Sequence, residues 1–264
     1  MKTILYLLIG VFVTGCKEKY FRAPTGSMEG TIRTGEKFYV TAANKFERNN
    51  IVVFNYFGED YASLPEDGKF KLHWEKRVYR LMAFSGDTLL IKDGEVFINN
   101  RPVPLPATAL CEYDVLSKVE IDDFPEWQGG SQAQLISSSN DTLHYITMLT
   151  KAEAMDYSER KPAIISVKKK LFENIPEDSL YAKNTVMDKW SSDNYGPLVI
   201  PNTGNTVIVD SINYKLYHNI PGIRMGKNTI EESLYFVLGD NRHGAQDSRF
   251  IGFIPHSNMY GIVK

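Results

Sequence analysis

Residues 88–103 read TLLIKDGEVFINNRPV, and the reading of this stretch sets the class of the fold. Apolar and polar residues alternate on both sides of Asp93-Gly94, the period of a strand with one face on a core. Asp-Gly between two such runs is a favoured tight-turn pair, so the stretch reads as a β-hairpin. Working outward, EKFYVTA (36–42) and NNIVVFNYF (49–57) are short, rich in β-branched and aromatic residues, and bounded by Asn, Gly or Asp. SLYFVLGDN (233–241), IGFIP (251–255) and MYGIVK (259–264) close the chain in the same style. The expected fold is mainly β, a core of antiparallel sheets.

The middle of the chain changes character. Between residues 104 and 194, prolines and charges are denser and the periodicity weakens, although AEAMDYSERK (152–161) has the look of a short helix. NYGPLVIPNTGNTVIV (194–209) returns to strand-like patterning. The expected organisation is a core from residues 17–103 and 195–264, with 104–194 inserted as a large second lobe. A chain of 264 residues has room for both.

Composition removes several functions. With 30 basic and 32 acidic side chains there is no charge excess to attract nucleic acid. Cys16 and Cys111 differ in context and form neither a disulfide framework nor a zinc site, so Cys111 reads as a small apolar filler. His73, His144, His218 and His256 are scattered without ligand spacing, so no metal is expected, and no organic cofactor. VKKKLF (167–172) reads as a solvated strand edge.

The amino end, MKTILYLLIGVFVTGC (1–16), has one lysine, an apolar run and then small residues. Its ~13 apolar and small residues make about 20 Å of helix, short of the ~30 Å of a bilayer core. That pattern is what an export signal looks like, either removed at Cys16 or kept as a tilted anchor. Val13-Thr14-Gly15-Cys16 is similar to a bacterial lipobox, which implies acylation of Cys16. The remainder is then expected on the outer, extracytoplasmic face of the cytoplasmic membrane, in contact with its lipid.

Three further segments carry a family resemblance. APTGSMEGTI (23–32) is similar to a Pro-Ser-Gly-Ser-Met-x-Pro-Thr-Leu serine box, RNNIVVF (48–54) to an Arg-Gly-Asp-Ile-Val-Val-Phe strand, and GDNRHGAQDSRFIGFIP (239–255) to a Gly-Asp-Asn-Arg box, without gaps. Together, and in this order, they resemble the bacterial type I signal peptidases, the S26 serine–lysine peptidases. The resemblance implies a membrane-attached serine endopeptidase that cuts exported pre-proteins after small residues. It implies Ser27 as nucleophile, and an oxyanion site from the Ser27 N–H and the Thr25 hydroxyl. Asp240, Asn241, Arg242, Asp247 and Arg249 would support the loop beside the nucleophile, and Met28 belongs either to packing or to a membrane-facing rim.

The base departs from the pattern. Counting back without gaps from Gly86-Asp87 puts Tyr79 where the family has its lysine, while Lys76-Arg77 lies three residues early. Strand side chains alternate, so a three-residue offset reverses the face unless a bulge intervenes. The serine that orients the family's lysine is Ala245 here. Three readings stay open: Lys76 as base, another base (Tyr79, His243 or Lys71), or a non-hydrolytic peptide-binding module of the same fold.

Overall fold

The structure is a computed structural model, which describes residues 19–56, 75–120, 133–139, 141–160, 163–172 and 190–264. Residues 1–16 with Cys16, and Lys71 and His73, lie outside the described residues. Strands make up 47% and helices 11%, so the chain is mainly β.

The first strands are β1 (Lys19–Arg22), β2 (Lys37–Ala42), β3 (Ile51–Tyr56), β4 (Glu75–Phe84), β5 (Thr88–Lys92), β6 (Glu95–Ile98) and β7 (Arg101–Val103). Then come β8 (Cys111–Ser117), β9 (Gln134–Ser139), β10 (Thr142–Leu149), helix α1 (Lys151–Arg160) and β11 (Ile164–Lys169). The chain returns through β12 (Tyr195–Val199), β13 (Thr206–Val209), α2 (Tyr214–Tyr217) and β14 (Gly226–Thr229). It ends with β15 (Leu234–Leu238), α3 (Ser248–Ile251), β16 (Ile254–Pro255) and β17 (Met259–Val263).

One sheet has the order β1-β2-β17-β3-β4-β15-β16, weaving the two ends of the chain together. A second has the order β12-β5-β6-β7, built on the expected hairpin. Asp93 (φ 51°) and Gly94 (φ 74°) both sit at positive φ, as the turn between β5 and β6 requires. The third sheet, β11-β8-β10-β9, comes entirely from the middle of the chain, and β13 pairs with β14 alone.

Strand β15, next to last in its sheet, explains its own sequence. LYFVL is apolar throughout because both faces are covered. Leu234, Phe236 and Leu238 pack with Leu89, Ile91, Tyr195 and Phe253 on one side. Tyr235 and Val237 pack with Val52, Phe54, Tyr79 and Leu81 on the other. The middle sheet has a separate core, where Tyr113, Val115 and Tyr145 meet Ala154 and Tyr157 of α1. That helix starts at a reciprocal cap: the Thr150 N–H donates to Glu153 Oε2 and the Glu153 N–H to Thr150 Oγ1.

The middle sheet is joined to the rest through the loop after β15. The Leu110 N–H donates to Asp240 O, the Arg242 N–H to Leu110 O, and the Glu112 N–H to His243 Nδ1. The run VKKKLF begins on β11, an edge strand of its sheet as expected, and two of its lysines find partners there. Lys169 Nζ donates to Asp93 O on the β5–β6 turn, and Lys170 pairs with Glu112. Arg249 is 2% exposed and donates to both Asp247 oxygens, to Ser192 O and to Arg242 O. Removing it strands a buried carboxylate. Arg249→Ala is therefore expected to cost about 3–5 kcal/mol in denaturant unfolding, and adding Asp247→Ala should cost less than the two single losses summed.

Candidate active site

Ser27 sits in a single 3₁₀ turn, Gly26–Met28, that follows an extended Thr25 (φ −143°, ψ 168°). The Ser27 N–H donates to Thr25 Oγ1 at 3.5 Å, and the two hydroxyl oxygens are 3.0 Å apart. Met28 is fully buried and takes a contact from the Asp240 N–H on its sulfur at 3.4 Å, so it packs beneath the turn rather than on a rim.

The loop after β15 braces this turn from behind. The Asn241 N–H donates to Ser27 O and Asn241 Nδ2 to Gly26 O. Asp240, wholly buried, accepts from Arg80 Nε and Nη2 at 2.8 and 2.6 Å and from Thr31 Oγ1. Gly239 has no room for a side chain: a methyl there would overlap Ala245 Cβ and lie 2.5 Å from Ser27 O. Asp247 and Arg249 anchor the far end of the loop. Arg242 is buried beneath it, with no hydrogen bond to its guanidinium among the described residues.

The base position is decided by register. Strands β3 and β4 pair without a bulge from Ile51↔Arg80 to Tyr56↔Glu75. Lys76 and Tyr79 therefore face opposite ways. Lys76 Nζ donates to Asn55 Oδ1 across the ladder and lies 4.6 Å from the Tyr260 ring centroid. The structure brings Tyr79 to Ser27 instead: its hydroxyl is 3.4 Å from Ser27 Oγ and donates to Gln246 O at 2.9 Å. Burial raises the Tyr79 pKa, only partly offset by the Ser27 contact and by Arg77, so the phenol keeps its proton and is no acceptor near neutrality. Lys76 is shifted the other way, its pKa lowered by burial and then by the Lys19 charge.

His243 is not beside Ser27. It bridges the Glu112 N–H and Asp193, whose carboxylate is 3.0 Å from Nε2. This contact holds Asp193 below the usual carboxylate range against its own burial. No local pattern hints at it, because the partners lie 50 and 131 residues away from His243.

Ser27 opens into a cleft of about 680 Å³ lined by Thr25, Glu75, Lys76, Arg77, Tyr79 and Gln246 among others. On that side the edge of β4 is free. β15 pairs only with Arg80–Phe84, so Glu75–Tyr79 has a strand neighbour on one side alone among the described residues. Among the described residues no group of three His, Cys, Asp or Glu side chains could hold a metal ion.

The whole chain, residues 1–264, matches the family described as signal peptidase, peptidase S26. The chain belongs to the signal peptidase family. Thirty-five residues are 54% identical to signal peptidase I of Aquifex aeolicus (strain VF5), over 13% of this chain and 14% of that protein. Fifty-nine are 37% identical to signal peptidase I of Buchnera aphidicola subsp. Schizaphis graminum (strain Sg), over 22% of this chain and 19% of that protein. The matched stretches thus span less than a fifth of either relative. Among the described residues no helix is long and apolar enough to cross a membrane.

The bracing of the turn can be tested apart from any activity. Gly239→Ala must push Ser27 O or Ala245 aside, and is expected to lose about 1–3 kcal/mol of stability in urea unfolding.

Proposed function

We propose that this member of the signal peptidase family binds extended, export-signal-type peptides at Ser27 without hydrolysing them at a signal-peptidase rate. The single observation carrying this is Tyr79 on Ser27 Oγ. A serine hydroxyl becomes a useful nucleophile only when a neighbouring group takes its proton. Here the neighbours are hydroxyls that already hold protons of their own, Thr25 and Tyr79. The retained fold, the braced turn and the free β4 edge still suit an extended chain, since main-chain hydrogen bonds along an edge need no catalytic base. The partners in this reading are exported pre-proteins or their signals with small residues near the site. Its setting is the outer face of the cytoplasmic membrane, with the leader and an acylated Cys16 as the attachment to lipid.

A second reading, a working peptidase with Ser27 as nucleophile and Lys76 as general base, is favoured by one observation. Lys76 lines the same cleft, and its environment favours the neutral amine. To act, it has to leave Asn55. Its signature would be a rate that rises with pH through an amine pKa below the ordinary 10.5, because only the neutral form accepts a proton.

The test is cleavage of a pre-protein with an Ala-x-Ala site by the full chain in detergent micelles. The expected result is no cleavage above the Ser27→Ala background in the natural chain. Tyr79→Lys combined with Ala245→Ser should gain cleavage, by roughly the 10²–10⁴-fold that a positioned base supplies, and adding Ser27→Ala should abolish the gain. Cleavage by the natural chain that is lost in both Ser27→Ala and Lys76→Ala would establish the second reading instead.

A further inference from the structure

The side chains touching Ser27 are hydroxyls, and the nearby carbonyl, Gln246 O, already accepts from Tyr79. Thr25 Oγ1, Ser27 Oγ and Tyr79 Oη form a continuous arc, with separations of 3.0 and 3.4 Å. Arg77 extends it: its Nη1 reaches Gln246 O at 3.4 Å, the same carbonyl that takes the Tyr79 proton. The Arg77 guanidinium carbon lies 3.9 Å from the Tyr56 ring centroid, so the ring as well as the Gln246 carbonyl holds it in place.

The charges point the same way. The cleft lining holds two cations, Lys76 and Arg77, and a single carboxylate, Glu75. Glu75 is 69% exposed at its side chain and stands 3.5 Å from Arg77 Nη2, at the rim. Lys19 adds a third positive charge close enough to act on Lys76. A hydroxyl-lined cleft with positive charge in excess and no basic side chain on the serine hydroxyl is poorly suited to activating a nucleophile. It is well suited to receiving an anion with planar oxygens, which guanidinium and hydroxyl donors together match.

The free edge of β4 narrows the choice of anion. An edge that pairs with an extended backbone, with this arc at one end, fits a peptide whose chain stops at the arc. We propose that the cleft captures the free α-carboxylate of an extended peptide ending in small residues, with Arg77 as the charged partner and the Thr25 and Ser27 hydroxyls as donors. This is the chemistry of the product of endoproteolysis, not of its uncut substrate. It places the protein after a reaction of that class. The proposal rests on the peptide-binding reading above and specifies what that site prefers.

The experiment uses the full chain in detergent micelles and three amino-terminally fluorescein-labelled peptides, read by anisotropy. One ends Ala-x-Ala with a free carboxylate, one is its carboxyl-terminal amide, and one continues for ten or so residues beyond the last alanine. The carboxylate peptide is expected to bind roughly tenfold tighter than the other two, about 1.4 kcal/mol, with the gap narrowing as salt is raised. Arg77→Gln should bring carboxylate and amide to near parity while the amide's own affinity barely moves. Lys76→Gln, checked for an unchanged melting temperature, should narrow the gap less. Equal binding of carboxylate and amide by the natural chain overturns this proposal and leaves peptide binding standing. An unchanged gap in a folded Arg77→Gln variant overturns the role given to Arg77. Tightest binding of the continuing peptide overturns the preference for a cut end, and failure of all three peptides to bind overturns both readings.

Discussion

Asp247 and Arg249 are both inside the protein, and neither charge could be there without the other. Isolating either ion from water costs several kcal/mol, and only close, multiply hydrogen-bonded geometry offsets that. The pair has it: two side-chain hydrogen bonds of 2.8 Å, with further guanidinium protons on Ser192 O and Arg242 O. Those two carbonyls belong to different parts of the chain, so satisfying one arginine fixes where the loop after β15 lies relative to the segment before β12. The same loop carries Asp240 to Arg80 and Asn241 to the Ser27 turn. The serine's position is thus set by buried charge several residues away, which is why the turn can be a single 3₁₀ step without a side-chain network of its own.

Much of this architecture is written in local pattern. The β5–β6 hairpin follows from Asp93-Gly94, because few residue pairs accept two successive positive φ angles. α1 was expected over AEAMDYSERK, and the structure adds the reciprocal Thr150–Glu153 cap that starts it. Strands β2, β3, β15 and β17 announced themselves by composition. What was hidden depends on residues far apart in sequence. Arg80 and Asp240 are separated by 160 positions, and His243 and Asp193 by 50. No periodicity encodes such meetings. The edge position of the lysine run was legible, but not the carbonyl on another sheet that Lys169 reaches.

The candidate site was legible in an unusual way, through a gapless count to Tyr79. The environment of that residue was not. Burial between β3 and the serine turn keeps the phenol neutral, and the Gln246 carbonyl takes its proton. An amine in the same place would meet a carbonyl and a hydroxyl, both able to accept, and burial would drive it toward its neutral form. The pocket is therefore not hostile to a lysine. Its walls still fit the family's chemistry, and the difference lies in one side chain and in Ala245, whose methyl offers nothing to orient an amine.

Strand geometry makes that difference hard to repair by small movements. Alternation in a strand has period two, so an offset of three residues cannot be absorbed by a shift of register that keeps the core faces inside. Slipping β4 by one position against β3 would exchange the faces on which Tyr79 and Leu81, and Lys76 and Arg80, lie, and Arg80 would abandon buried Asp240. A bulge between residues 76 and 79 would have the same local effect, but the ladder there is continuous. The remaining route is for the lysine stem to wrap around the free edge of β4 after giving up Asn55 and the Tyr260 ring. That route costs one hydrogen bond and one cation–π contact, each of about 0.5–1.5 kcal/mol, far less than remaking the sheet. Because only the edge route is open, the same unpaired strand edge that would hold a peptide is the path Lys76 would have to take, and a bound chain would block it. Peptide binding and recruitment of this lysine therefore compete for one surface.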